Sequence, residues 1–183
     1  GGGTVGSGIQ ALYEQTDVRI VSTDVFPSSV TTLIADAHHL PFKDGSFDAI
    51  WIQAVLEHVL EPEVVVGELH RVLKDDGLIY ADTPFMQQVH ADAYDFLRFS
   101  HSAHRWLFRR FSEIEAGAVG GAGVSLLWSY RYFLRALGLG FLHVTNLEHL
   151  GSAPAGDHNG SHLARPPSPS IARPGRGPDA QSS

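Results

Sequence analysis

The chain has 183 residues, room for one domain of the usual ~100–200 residues or for a domain with a tail. Its 43% hydrophobic and 18% charged content excludes a wholly disordered polymer, and no apolar run reaches the ~18 residues of a membrane span. A net charge of −7 argues against a general surface for nucleic acid or anionic lipid, and the absence of cysteine excludes disulfides, thiol catalysis and cysteine-held zinc. The chain starts at Gly1 with no initiator Met and no basic-then-apolar leader, so it reads as one that has lost its start, with a cytoplasmic setting expected.

The elements follow in order. Gly1, Gly2, Gly3, Gly6 and Gly8 crowd a loop that opens into a helix near Ile9 to Tyr13. A β-branched run at 18–22 ends at Thr23 and Asp24, and another at 30–35 ends at Asp36. The Asp44-Gly45 turn leads into a third strand over 47–52, and a fourth covers 78–82. Between these last two, Pro62 suits the first turn of a helix, Lys74 its last turn, and Gly77 lies just beyond. Val65, Leu69, Val72 and Leu73 share one face of that helix. A helix over 102–110 and a strand near 112–116 follow. Leu126, Tyr130, Phe133, Leu134 and Leu137 then recur at helical spacing, a stripe assigned to core packing.

Strands separated by helices imply parallel pairing and right-handed crossovers, hence an α/β fold with a doubly wound, mostly parallel Rossmann-like sheet. Residues 1–140 form this cofactor-binding domain. Residues 141–183 are rich in Pro, Gly, Arg and Ser, with Leu163 and Ile171 the only sizeable aliphatics after Leu150, and disorder is expected there.

Gly1, Gly3 and Gly6 satisfy a GxGxxG pattern at the mouth of a helix, where unpaired N–H groups can meet an anion. Asp24 lies 21 residues after Gly3 at the end of the next strand, where a carboxylate can hold both hydroxyls of a ribose. Asp36 ends the following strand in the same way. Ligands of open α/β sheets bind at the carboxyl ends of strands, so these residues describe one nucleoside-shaped crevice.

Together the glycine loop, Asp24, Asp36-Ala37 with Leu40-Pro41-Phe42, and Ser46-Phe47-Asp48 before a hydrophobic strand resemble the class I S-adenosylmethionine-dependent methyltransferases. Leu56-Glu57-His58-Val59 and the segment from Arg71 to Leu78 extend the likeness to the small-molecule-type branch, over roughly residues 1–137. The resemblance implies S-adenosylmethionine as cofactor. Gly1, Gly3, Gly6 and Gly8 would cradle its methionine end, Asp24 its ribose, and Asp36 with Ala37 its adenine, while Gln53 would face the methionine portion. Against the family pattern, the first strand is absent and the glycine loop carries one residue more than the commonest spacing. A closing strand after Leu137 is not evident, residues 140–144 being a poor substitute. The sequence thus reads as a fragment whose sheet is incomplete at both ends.

Methyl transfer is an in-line displacement that needs positioning above all, and a base only where the acceptor must lose a proton. Catalytic candidates are His58 and His90. The acceptor side would be walled by Phe85 and Tyr94, with His90 and His104 as polar groups. His101 and His104 have a helical i, i+3 spacing that Asp95 could join, but no third clear ligand follows and no functional metal is expected. The acceptor is expected to be a small or medium-sized molecule; charge disfavours nucleic acid, and arginines 105, 109, 110, 131 and 135 read as solvated helix faces. No motif specifies an oligomeric state. Two other readings stand beside this one. An NAD(P)-dependent oxidoreductase would share the glycine loop and ribose acid, although Asp36-Ala37 followed by Leu40-Pro41-Phe42 suits an adenine wall better than a second phosphate. A non-catalytic, truncated Rossmann-like protein would keep the fold alone.

Overall fold

The computed structural model describes residues 2–5, 9–90 and 92–138, together with the backbone of residues 170–174. In chain order it contains a single-turn helix α1 (Gln10–Tyr13), short strands β1 (Thr23–Asp24) and β2 (Leu33–Ile34), strand β3 (Phe47–Gln53) and a 3-10 turn (Leu56–His58). Helix α2 (Pro62–Val72) and strand β4 (Leu73–Asp82) follow, then a second 3-10 turn (Asp92–Tyr94), helix α3 (His101–Leu107), strand β5 (Phe111–Glu115), helix α4 (Ala122–Ala136) and strand β6 (Ser170–Pro174). β1 pairs with β2 in parallel, and β3 pairs with β4 in parallel. The larger sheet runs β3-β4-β6-β5, with β6 antiparallel to both neighbours. No helix among the described residues is long and apolar enough to cross a membrane.

The core forms where α2 covers the β3–β4 pair. Pro62 occupies the first turn of α2, where its missing N–H has no helical partner to lose, and Glu63 complements the positive helix end. Val65, Val66, Leu69 and Val72 are buried, clustered with Ile52, Leu56, Ile79, Ala81, Leu107, Phe108 and Phe111. Each large aliphatic buried this way contributes about 1.5–3 kcal/mol. Along β4, Gly77, Ile79 and Ala81 are buried while Leu78, Tyr80 and Asp82 point to the other face, the period-2 alternation of a strand.

The predicted stripe on α2 is borne out, but its C-terminal limit is not. The chain turns extended at Leu73 (φ −81°, ψ 139°), so Lys74 lies in β4 rather than in the last helical turn. The sheet wins the segment because Leu73 already pairs opposite Phe47, and Lys74 Nζ donates to Asp48 Oδ1 at 2.6 Å across the two strands. The first two strands are also shorter than expected. Of the predicted runs, only two residues on each side pair; just before them the Ser22 hydroxyl bonds Val30 O and accepts from Thr32 N (3.0 Å), while Ser22 O takes the N–H groups of both Thr32 (3.0 Å) and Leu33 (3.1 Å).

Two other expectations change. The α4 stripe was assigned to packing, yet among the described residues α4 buries no side chain, and Leu126 and Phe133 are 71% and 57% exposed. A closing strand, not evident in the sequence, is supplied from within the tail. β6 sets Ala172 opposite Ile79 and Ile171 opposite Tyr80, and Ala172 opposite Glu113 on its other edge. Gly1, Gly6, Gly8, residues 140–144 and the rest of the tail lie outside the described residues.

Candidate functional site

At the end of β1 the glycine loop lies directly on the strand. Gly2 N donates to Thr23 O at 2.6 Å and Gly3 N to Asp24 Oδ2 at 2.9 Å, while Phe26 N donates to Asp24 Oδ1 at 3.0 Å. A Cβ on Gly2 would stand 2.8 Å from Ser22 Cβ and 2.9 Å from Thr23 N; one on Gly3 would stand 3.0 Å from Asp24 Oδ2. The approach requires glycine.

The next strand end sits alongside. Asp24 is in register with Ile34, Ala35 N donates to Asp24 O at 2.9 Å, and Asp36 follows immediately. Gly3, Asp24 and Asp36 are therefore brought to one end of the β1–β2 pair. Asp36 Oδ1 accepts from His38 N at 2.9 Å and meets His38 Nδ1 at 2.6 Å, closing a tight turn. The His38 N–H, with its ring, holds the Asp36 carboxyl below the usual carboxylate range. Ala37 packs against the core. Beyond it, Arg71 of α2 donates to Phe42 O (2.7 Å) and Leu40 O (3.0 Å), and Glu68 Oε2 accepts from Leu40 N (2.8 Å), pinning the segment after Asp36 to the helix.

A second strand end is built by β3 and β4. Gln53 stands opposite Asp82, donates to Asp82 Oδ2 at 3.3 Å, and accepts from Trp51 Nε1 at 3.3 Å. Burial raises the Asp82 carboxyl, and the Gln53 amide opposes that rise. Trp51 stacks on Tyr80 with ring centroids 3.8 Å apart, and burial pushes the Tyr80 hydroxyl up to about 12. The chain leaves β3 through Ala54 at φ +50°, a left-handed conformation uncommon outside glycine, of the kind that clusters at functional turns.

That turn delivers Glu57 and His58. Glu57 is fully buried, and its carbonyl accepts from Phe96 N (2.8 Å) and Leu97 N (3.2 Å), drawing in the loop after β4. His58 Nδ1 lies 2.7 Å from Tyr94 O, and its ring meets that of His90 edge to face at 5.2 Å. The loop is clasped by Arg98, which bonds both oxygens of Asp95 and donates to Gln87 O at 2.9 Å, while His90 N donates to Asp95 Oδ2 at 2.9 Å. His58, His90 and Tyr94 thus converge. Phe85 and Tyr94, expected to wall the acceptor side, are 57% and 65% exposed. His104 takes other neighbours: it lies on α3, 4.7 Å from the Phe108 ring, with its imidazole pushed down by burial.

A sequence profile of the family described as "Methyltransferase domain" matches residues 2–81, the span that carries Gly3, Asp24, Asp36 and Gln53 and stops one residue short of Asp82. Residues 2–81 are thus similar to a methyltransferase domain. The chain is 36% identical over 55 residues to the malonyl-[acyl-carrier protein] O-methyltransferase of Laribacter hongkongensis, covering 30% of this chain and 18% of that protein. It is 42% identical over 50 residues to the ubiquinone/menaquinone biosynthesis C-methyltransferase of Citrifermentans bemidjiense, covering 27% of this chain and 21% of that one. The chain thus spans about a fifth of the length of these curated relatives. The fold is shared with the 1,6-didemethyltoxoflavin-N1-methyltransferase of Burkholderia thailandensis, solved with 1,6-didemethyltoxoflavin and S-adenosylhomocysteine. That match has a TM-score of 0.52 at 16% identity and covers 63% of this chain and 60% of that one.

Two features of these sites escaped the sequence reading. Asp82 was legible only as the end of a strand; its pairing with Gln53 depends on parallel register, which no local pattern specifies. The Asp95–Arg98 clasp carries an i, i+3 charge signal, but what it clasps, the 87–90 segment, is set by tertiary structure.

Proposed function

We propose that this chain binds S-adenosylmethionine across the ends of β1 to β4 and transfers its methyl group to a small or medium-sized acceptor. The observation that carries this reading is the contact of Gly3 N with Asp24, which puts a side-chain-free loop and a strand-end carboxylate side by side, with Asp36 on the adjoining strand. The residues fit an adenosyl group. Asp24 would accept hydrogen bonds from the ribose hydroxyls, Asp36 and Ala37 would border the adenine, and the loop of Gly1, Gly3, Gly6 and Gly8 would take the methionine end with Gln53.

Bound S-adenosylmethionine supplies an electrophilic methyl carbon on a charged sulfur. The protein's own contribution is then orientation and exclusion of water. Phe85, His90, Tyr94 and His104 are the proposed acceptor contacts, and His58 and His90 the groups that could take a proton where the acceptor must lose one. His58 and His90 are already adjacent, whereas His104 would need an acceptor long enough to reach α3. A small acceptor, no nucleic acid and a cytoplasmic setting complete the proposal, in line with the charge and composition.

Calorimetric titration of the purified chain tests it. S-adenosylhomocysteine should bind with one-to-one stoichiometry and NAD should not. Binding of NAD alone would favour the oxidoreductase reading, and binding of neither the non-catalytic one.

A further inference from the structure

Glu57 has no place in the cofactor site just described, yet its side chain is 0% exposed and, among the described residues, neither carboxylate oxygen has a hydrogen-bond partner. A buried acid left this way is costly unless it is neutralised, paired or bound to a metal. His58 Nε2 lies 3.6 Å from Glu57 Oε1, outside hydrogen-bond range. Its Nδ1 faces Tyr94 O at 2.7 Å; a carbonyl can only accept, so Nδ1 carries a proton and Nε2 is the ring nitrogen left facing the site, 3.6 Å from the acid. His90 approaches from the other strand-end loop. Its Nδ1 is 3.3 Å from Gln88 O and 3.4 Å from Asp95 Oδ2, and among the described residues Nε2 has no hydrogen-bond partner.

We propose that Glu57, His58 and His90 form a binding site for a divalent transition-metal ion, with zinc as the best-matched case. Each offers one ligand atom, and these lie within 4.8 Å of one another. Two ligands at ~2.0–2.2 Å from a tetrahedral ion stand about 3.3–3.5 Å apart, so Glu57 and His58, at 3.6 Å, are close to that spacing and no pair need close by more than about 1.5 Å. Two imidazoles and one carboxylate are a donor set suited to zinc and its neighbours rather than to calcium or magnesium. The Tyr94 carbonyl behind His58 and the Asp95 carboxylate behind His90 are the outer partners that orient metal-binding imidazoles. The imidazole side chains are 26% and 27% exposed, so the ion would keep an open position for water or for an oxygen of the acceptor.

The assignment does not depend on methyl transfer and is tested apart from it. The whole chain, stripped with chelator and dialysed, is titrated with Zn²⁺ by calorimetry and with Co²⁺ by visible absorption. One tight equivalent is expected, with the intense visible bands of cobalt in a tetrahedral site. His90→Ala and Glu57→Gln should each weaken it by tenfold or more, whereas His101→Ala, on exposed α3, should not. His58→Ala is read alongside them by circular dichroism, since it also removes the Tyr94 contact; if it unfolds, the His90 variant decides. Failure of the folded wild type to bind either ion, or binding undiminished in both His90→Ala and Glu57→Gln, overturns the assignment. Binding of S-adenosylhomocysteine by a chain that ignores both ions would end this proposal and leave the methyl-transfer reading intact.

Discussion

Gly3 donates its backbone N–H to Asp24, 21 residues further along the chain, at 2.9 Å. The second Asp24 oxygen takes the N–H of Phe26 at 3.0 Å, so the carboxylate is held in place before any ligand arrives. Pre-placement matters because a ribose acid that must be ordered on binding loses part of its interaction energy to that ordering.

Asp24→Ala should therefore abolish most cofactor affinity. Hydrogen bonds to a charged group are worth about 1.5–3 kcal/mol, or roughly ten- to hundredfold in binding. The variant should keep its circular dichroism spectrum, because the described bonds of Asp24 lie at a loop rather than in the β3–β4 core. Unchanged S-adenosylhomocysteine affinity by calorimetry would remove the ribose role.

Gly2→Ala should disturb the same loop from the backbone side. The new methyl would meet Ser22 Cβ at 2.8 Å and the backbone N of Thr23 at 2.9 Å, and neither can swing aside. The loop must lift off β1, weakening S-adenosylhomocysteine binding without lowering the midpoint of urea unfolding. Gly121→Ala, where a Cβ meets open space, is the control and should bind normally.

The clasp between α2 and the segment after Asp36 should make stability acid-sensitive. Arg71 beside Glu68 holds that carboxyl down to about 2, against 4.5 ordinarily. Because the folded value is the depressed one, the stabilisation is complete above about pH 5 and is lost as the pH falls through about 2. Urea unfolding at pH 6 and pH 3 should show wild type losing more than Glu68→Gln. At pH 6 the variant should be weaker by about 1.5–3 kcal/mol, the range for hydrogen bonds to a charged partner. Equal losses in both proteins would place the acid sensitivity elsewhere.

How far the sequence reaches differs between the two strand-end sites. The glycine loop, Asp24 and Asp36 were legible because each is tied to a local event, a turn that needs glycine or an acid where a β-branched run stops. The buried face of α2 was legible for the same reason, through the spacing of Val65, Leu69 and Val72. Boundaries were not. Lys74 was read as helical because it follows a helical pattern, while the partner that claimed Leu73 is Phe47, 26 residues upstream.

By itself, then, the sequence determined the alternation of strands and helices, the parallel pairing, and the residues that meet at the end of β1. These follow from periodicity and backbone conformation within a few residues. Only the tertiary structure decided that Gln53 would meet Asp82, that residues 170–174 would become the strand between β4 and β5, and that the α4 stripe would stay uncovered among the described residues. It alone gathered Glu57, His58 and His90, because a loop 33 residues from Glu57 is drawn in by its carbonyl and locked by Asp95 and Arg98. Such meetings depend on register and on packing between distant segments, and neither leaves a period in the chain.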